Sequence, residues 1–296
     1  MALTPSGVYT AIVTPFSADG SAIDWPAYER LVQHQLDGGV SGIVPCGTTG
    51  EAPTLSDDEQ RELIGRTVRQ VNGRVSVLAG TGTNSTKKTI EYSKVALDQG
   101  ADGVMLMMPY YNRPSQEGLL NHVSLVAKAI SAPIVLYNIP ARSAVELHVD
   151  TLLKILDACP NVVGLKDASN GVMYCQEVAV RAKERLWVLS GDDPLTLQMM
   201  TVGASGVISV TSNLYPREVS DVVADALAGR WADAQAKNLR LFPVHRALFS
   251  EPSPQPIKSA LALKGSMNPS LRAPMLEASV ACRARLSEVM HAFEAP

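Results

Sequence analysis

Eight short apolar runs recur along this chain, at residues 7–14, 40–46, 75–80, 101–108, 133–138, 161–165, 186–190 and 206–210. Their recurrence limits the possible folds more than any other feature. A strand solvated on one face alternates apolar and polar residues, whereas a parallel strand covered on both faces reads as a continuous apolar run. These runs are continuous.

Amphipathic stretches of helical period lie between them. Asp24 precedes the first, which carries Leu31, Gln35 and Leu36 and closes at Gly38 and Gly39. Ser56 precedes DDEQRELIGRTVRQV, with Glu59 three residues on, the spacing at which the two side chains cap each other's backbone. Ser85 and Ser115 precede TKKTIEYSKVALDQG and QEGLLNHVSLVAKAI, and Pro194 and Pro216 stand where a first helical turn starts. Strand–helix units repeated in this way predict an α/β chain, a closed (β/α)8 TIM barrel. A doubly wound open sheet is the alternative, but it has fewer strands and a recognisable nucleotide loop.

Such a barrel takes about 250 residues. The chain has 296, and the surplus is C-terminal. Stretches 231–249, 255–264 and 274–293 read as further helices, with the Pro-rich EPSPQP (251–256) as a bend. The expected organisation is a barrel over 1–230 and a helical extension over 231–296 packed on it.

Composition removes several function classes. The formal net charge of −3 argues against a nucleic-acid binder, which needs a basic face. No run reaches the roughly 18 apolar residues of a membrane span. The start, MALTPSGVYTAIVTPF, lacks the basic segment of a secretory signal. Cys46, Cys159, Cys175 and Cys282 are far apart and form no CxxC, so they read as reduced thiols of a cytoplasmic protein. The histidines are equally dispersed, and no His/Cys metal site is expected.

In a barrel of this kind the reactive groups sit at the C-terminal strand ends. Those positions hold hydroxyls, tyrosines, glycines and one lysine. Lys166 ends the run NVVGLK, which places its amine at the mouth. A desolvated amine loses its proton readily and attacks carbonyl carbon; the other reading is a strand-end lysine paired with Asp167. Tyr137 ends PIVLY in the preceding unit, beside Lys166, where a phenol suits proton transfer or simply packs beneath a loop. GTTGE (47–51) offers the hydroxyls of Thr48 and Thr49 and several backbone N–H groups, a cradle for a carboxylate or an ordinary capped turn. Glu51 reads as a brace of that loop through backbone hydrogen bonds. Arg142, in IPARSA, suits bidentate pairing with a carboxylate, or is a solvated loop arginine. Asp192 and Asp193, just before Pro194, read as caps of the next helix rather than as Mg²⁺ ligands. GTGTN (80–84) lacks the third glycine of a dinucleotide loop, and there is neither a P-loop nor a GxSxG elbow.

GTTGE, PYYNRPSQEG (109–118), LYNIPAR (136–142), GLKDAS (164–169), SGDD (190–193), GVISVTSN (206–213) and EPSPQPIK (251–258), in this order and spacing, resemble the dihydrodipicolinate synthase / N-acetylneuraminate lyase family. With AIVTPF (11–16) the resemblance covers nearly the whole chain. It implies a lyase that condenses pyruvate with L-aspartate-4-semialdehyde through a Schiff base, on the route to diaminopimelate and lysine. Lys166 matches the lysine that bonds to pyruvate, Tyr137 the proton-relaying tyrosine, and Thr48 and Tyr111 the other relay members, Tyr111 reaching across a dimer interface. Thr49 matches a contact to the pyruvate carboxylate, Ile208 a residue whose backbone borders pyruvate, and Arg142 the entrance arginine for the semialdehyde carboxylate. No metal or organic cofactor is implied, and the assembly implied is a homotetramer, a pair of tight dimers.

Departures from the family pattern bear on specificity. IPARSA stands where VPSRTG or VPGRT is usual, and GLKDAS where GIKEAT is usual. Arg142 favours a carboxylated partner over a sugar, while its altered surroundings keep a related Schiff-base lyase or dehydratase for another 2-keto acid as the alternative. Lysine-inhibited members often carry histidines on the helix after GTTGE and a glutamate on the next one. Asp57, Gln60 and Lys88 match those positions, with Pro53 in the loop. Lys88 repels an ammonium that glutamate attracts, so weak or absent lysine inhibition is expected.

Overall fold

The computed structural model of the protein describes residues 3, 6–169 and 171–295; residues 1, 2, 4 and 5, on which the reading of the chain's start partly rests, lie outside it. Eight parallel strands close into a barrel in chain order, β8 returning to β1. They are β1 (Gly7–Ala11), β2 (Gly42–Val44), β3 (Ser76–Gly80), β4 (Gly103–Met107), β5 (Ile134–Asn138), β6 (Val162–Asp167), β7 (Trp187–Ser190) and β8 (Gly206–Ser209). Each falls on one of the apolar runs with trimmed ends, except that β6 continues past its run through Lys166 to Asp167.

Nine helices among the described residues follow the strands: α1 (Trp25–Asp37), α2 (Asp57–Val71), α3 (Thr86–Asp98), α4 (Gln116–Ala129), α5 (Pro140–Ser143), α6 (Val149–Ala158), α7 (Val172–Ala182), α8 (Thr196–Thr201) and α9 (Pro216–Leu227). Their starts are set chemically. Asp24, Ser85 and Ser115 accept hydrogen bonds from the backbone N–H groups of Ala27, Lys88 and Gly118, and Ser56 and Glu59 cap each other's backbone.

Three more helices come after the eighth unit: α10 (Trp231–Leu248), α11 (Gln255–Leu263) and α12 (Val280–Glu294). The last is shorter than the expected 274–293 stretch at its start. Ser279 sets its beginning by accepting from the Cys282 N–H, so residues 274–279 stay outside the helix. The helix α10 packs on α9 and α12, and α11 packs on α12.

Alternation along the strands separates two cores. Leu136, Leu165 and Val188 face the helices, whereas Val135, Tyr137, Leu189 and Ile208 face the barrel interior. The N-terminal end of the barrel is filled by aromatic rings. Gly42 pairs with Tyr9 and Gly164 with Trp187, and a Cβ at either glycine would lie 2.2 Å or 2.6 Å from the ring. Removing two side chains lets two rings plug that end, so the inward groups at the opposite, C-terminal end line the mouth.

Candidate active site

Tyr137 and Lys166 are register partners across the β5–β6 seam, and both point inward. The Lys166 Nζ lies 4.0 Å from the centroid of the Tyr137 ring, and the two residues are 4% and 5% exposed. Burial disfavours the charged form of an amine. It lowers Lys166 to about 7, with Asp193 acting upward and Arg142 adding to the depression. Burial also pushes the Tyr137 phenol up, opposed by the charge of Arg142 and by a hydrogen bond with Thr48. A neutral amine is thus accessible near neutral pH over the ring of a phenol that keeps its proton.

The alternative reading of Lys166, a pair with Asp167, does not hold. Successive strand residues face opposite ways, and Asp167 points out of the barrel. Its Oδ1 accepts from the Ser169 N–H at 3.0 Å, while its Oδ2 has no partner. Burial raises this carboxyl to about 6.

The GTTGE segment leaves β2 through a tight turn. Gly50, Glu51 and Ala52 direct their N–H groups at the carbonyls of Gly47 and Thr48. Those of Thr48 and Thr49 have no hydrogen-bonded acceptor among the described residues. Thr48 lines a cavity of about 410 Å³ together with Met105, Tyr110, Tyr137 and Arg142, and the cavity extends to Lys88 and Tyr92. Lys166, Thr49 and Ile208 do not line it. Tyr137 links the two sets, lining the cavity and stacking on Lys166. Ile208 lies in the inward cluster with Tyr137 and Leu189. Arg142 is exposed at the rim, its Nη2 donating to the Ser253 carbonyl at 3.2 Å, so it is tethered rather than freely solvated.

Tyr111 is not brought to the site of its own chain. It is 89% exposed and has a φ of 71°. That left-handed conformation turns the second tyrosine of PYYN away, while the first, Tyr110, lines the cavity.

Two residues do more than, or other than, their sequence reading. Glu51 braces its loop by an ion pair as well as by the backbone hydrogen bonds of the turn. Its carboxylate contacts the Lys258 ammonium of α11 and accepts from the Arg272 N–H at 3.1 Å. Lys258 is fully buried, also donates to the Ser270 carbonyl at 2.8 Å, and lies over the Phe16 ring. Asp193 does not cap α8. It turns toward β8, accepting from Ser209 Oγ and from the N–H groups of Val210 and Thr211 at 2.8 and 3.2 Å. Neither partner set is close in sequence, and the one available signal is Lys258 as the single charged residue of the segment QPIKSALAL. Among the described residues no group of His, Cys, Asp and Glu is arranged to hold a metal ion, and no helix is long and apolar enough to cross a membrane.

Residues 4–293 match the sequence profile of the dihydrodipicolinate synthetase family. The chain belongs to that family. Within it, the 4-hydroxy-tetrahydrodipicolinate synthase of Sorangium cellulosum (strain So ce56) is 54% identical over 290 residues, covering 98% of this chain and 96% of that protein. The structure of the 4-hydroxy-tetrahydrodipicolinate synthase from Methylacidiphilum fumariolicum SolV superposes with a TM-score of 0.96 at 43% identity, over 98% of this chain and 96% of that one. The chloride-inhibited dihydrodipicolinate synthase from Acinetobacter baumannii, solved in complex with pyruvate, does so with a TM-score of 0.96 at 39% identity, over 98% and 99%.

Proposed function

We propose that the chain is a 4-hydroxy-tetrahydrodipicolinate synthase, condensing pyruvate with L-aspartate-4-semialdehyde through a Schiff base on Lys166, in the biosynthesis of diaminopimelate and lysine. The observation that carries this reading is the buried Lys166 amine, lowered to about 7 and stacked on Tyr137. The names of the similar proteins favour it over a related lyase for another 2-keto acid.

The neutral amine adds to the ketone carbon of pyruvate, and water leaves to give an iminium. The iminium acts as an electron sink, so a methyl proton departs and an enamine forms. The enamine carbon attacks the aldehyde carbon of the second substrate, whose oxygen takes up a proton. The amino group of that substrate then adds to the iminium carbon, closes the ring and expels Lys166 as a free amine. One water is released overall, and no metal or organic cofactor takes part.

Each proton transfer needs a donor and acceptor in place. Tyr137 and Thr48 supply them from this chain, and Tyr111 completes the relay from a partner copy; its exposure and its departure from its own cavity support that role. The N–H groups of Thr48 and Thr49, without acceptors among the described residues, suit the pyruvate carboxylate, Ile208 borders pyruvate, and Arg142 at the rim holds the semialdehyde carboxylate. The assembly proposed is a homotetramer built from two such dimers, in the cytoplasm.

Borohydride reduction in the presence of pyruvate, followed by peptide mass spectrometry, tests the reading. Added mass on Lys166 is expected, with none in Lys166→Ala. An unmodified Lys166 in an enzyme that turns over pyruvate would overturn it. Coupled assays with L-aspartate-4-semialdehyde against a panel of sugar acids decide the second substrate.

A further inference from the structure

The loop after β7 reaches both halves of the lysine centre. Gly191 packs so tightly on Lys166 that a Cβ there would lie 3.1 Å from the lysine Cε. Two residues on, Asp193 is 3% exposed, and its two carboxylate oxygens take Ser209 Oγ on one side and the Val210 and Thr211 N–H groups on the other. Those three donors directly follow Ile208 in the chain. Ser209 Oγ in turn accepts from the Ser212 N–H at 2.8 Å, and the Thr211 hydroxyl meets His245 Nδ1 at 2.8 Å. A buried carboxylate with every donor drawn from one strand end is a clamp on that strand end.

We propose that Asp193 is a positioning residue of the lysine centre, clamping the end of β8 beside Ile208 and setting the electrostatic field in which the Lys166 amine works. The proposal deepens the Schiff-base reading and rests on it. The charged and titratable groups around the pair come from several elements. Lys166 faces Asp193 from the loop after β7, Arg142 from α5 and the Tyr137 ring from β5. Asp193 faces His245 from α10 and its neighbour Asp192. Asp193 is the anion of this set that acts on the amine, and Arg142 is the opposing cation. Its charge limits how far burial depresses Lys166, and its hydrogen bonds fix the backbone against which a keto acid would lie.

Asp193→Asn separates the two effects, because an amide of the same shape still accepts from the two N–H groups and donates to Ser209 Oγ. The measurement is the rate of borohydride-trapped pyruvate adduct on Lys166 as a function of pH. Loss of the anion lowers the amine further, so the acid limb in Asp193→Asn is expected to move about one pH unit toward lower pH. Ser209→Ala keeps the charge and removes one clamp donor. It is expected to leave the acid limb in place and raise the KM for pyruvate severalfold. Asp193→Ala is expected to show both changes. Superposable acid limbs for wild type and Asp193→Asn would overturn the field, and an unchanged KM in Ser209→Ala would overturn the clamp. If neither Asp193 variant folds while Ser209→Ala is unchanged, Asp193 serves the fold alone and the proposal fails. Absence of any adduct in the wild type would instead strike the Schiff-base reading, so the two failures are distinct.

Discussion

The ammonium nitrogen of Lys166 rests on the face of the Tyr137 ring, 4.0 Å from its centroid, both side chains being carried inward by register-paired positions of β5 and β6. Burial lowers the amine to about 7 while it raises the phenol. Only the neutral amine attacks a ketone, so the trapped-adduct rate is expected to rise through about pH 7 and level off above it. An unperturbed lysine would still be rising at about pH 10. A limb at that higher pH would show that the amine is solvated.

Tyr137→Phe removes the phenol oxygen and keeps the ring that packs on Lys166. Turnover is expected to fall by about 10²–10⁴-fold, the usual worth of one proton-transfer group, with the thermal midpoint nearly unchanged. Steady-state kinetics beside a melting curve checks this. Full activity would remove Tyr137 from the relay.

Lys258→Met leaves the Glu51 carboxylate buried without its cation. Breaking one partner of a buried pair costs about 3–5 kcal/mol. The expected result is a lower denaturation midpoint, together with a rise in the KM for pyruvate, because Glu51 closes the turn that carries Thr48 and Thr49. Lys258→Met with Glu51→Gln is expected to recover much of the stability. A double-mutant cycle by chemical denaturation measures the coupling, and additive losses would argue against the pair.

Asp167→Asn is expected to stabilise the protein above about pH 6. The carboxyl is raised from 3.8 to about 6 by burial. A raised folded-state pKa means that the charged form costs stability, fully above the folded value and not at all below the unfolded one. A shift of this size corresponds to about 3 kcal/mol at most at pH 8, fading as the pH falls through 6 toward 4. Thermal melts of both proteins across that range decide it.

Lysine is expected to inhibit weakly or not at all, because Lys88 lines the cavity with Gln60 and Tyr92. An ammonium ligand meets a like charge there. Initial rates across an L-lysine titration should stay flat, and Lys88→Glu should introduce a fall. Strong inhibition of the unaltered enzyme would refute the assignment.

The barrel was legible because its signals are local. Asp24, Ser56, Ser85 and Ser115 announce helix starts three residues from their partners, and the apolar runs mark strands whatever the distant chain does. Lys166 and Tyr137 were legible for a related reason, since adjacent units put adjacent strand ends side by side. Glu51 and Asp193 were not. Their partners lie 207 and 16–18 residues away, and no periodicity encodes such pairings. Nor does sequence report a backbone dihedral: the φ of 71° that turns Tyr111 outward, leaving Tyr110 at the cavity wall, has no composition signature in PYYN.

The Lys258–Glu51 contact also orders events during biosynthesis. A nascent chain that has already emerged with all its strands still lacks the cation that sits beneath the barrel mouth, and Arg272, which donates to the same carboxylate, is made later still. The turn after β2 therefore gains its full set of braces only once the C-terminal helices have been made.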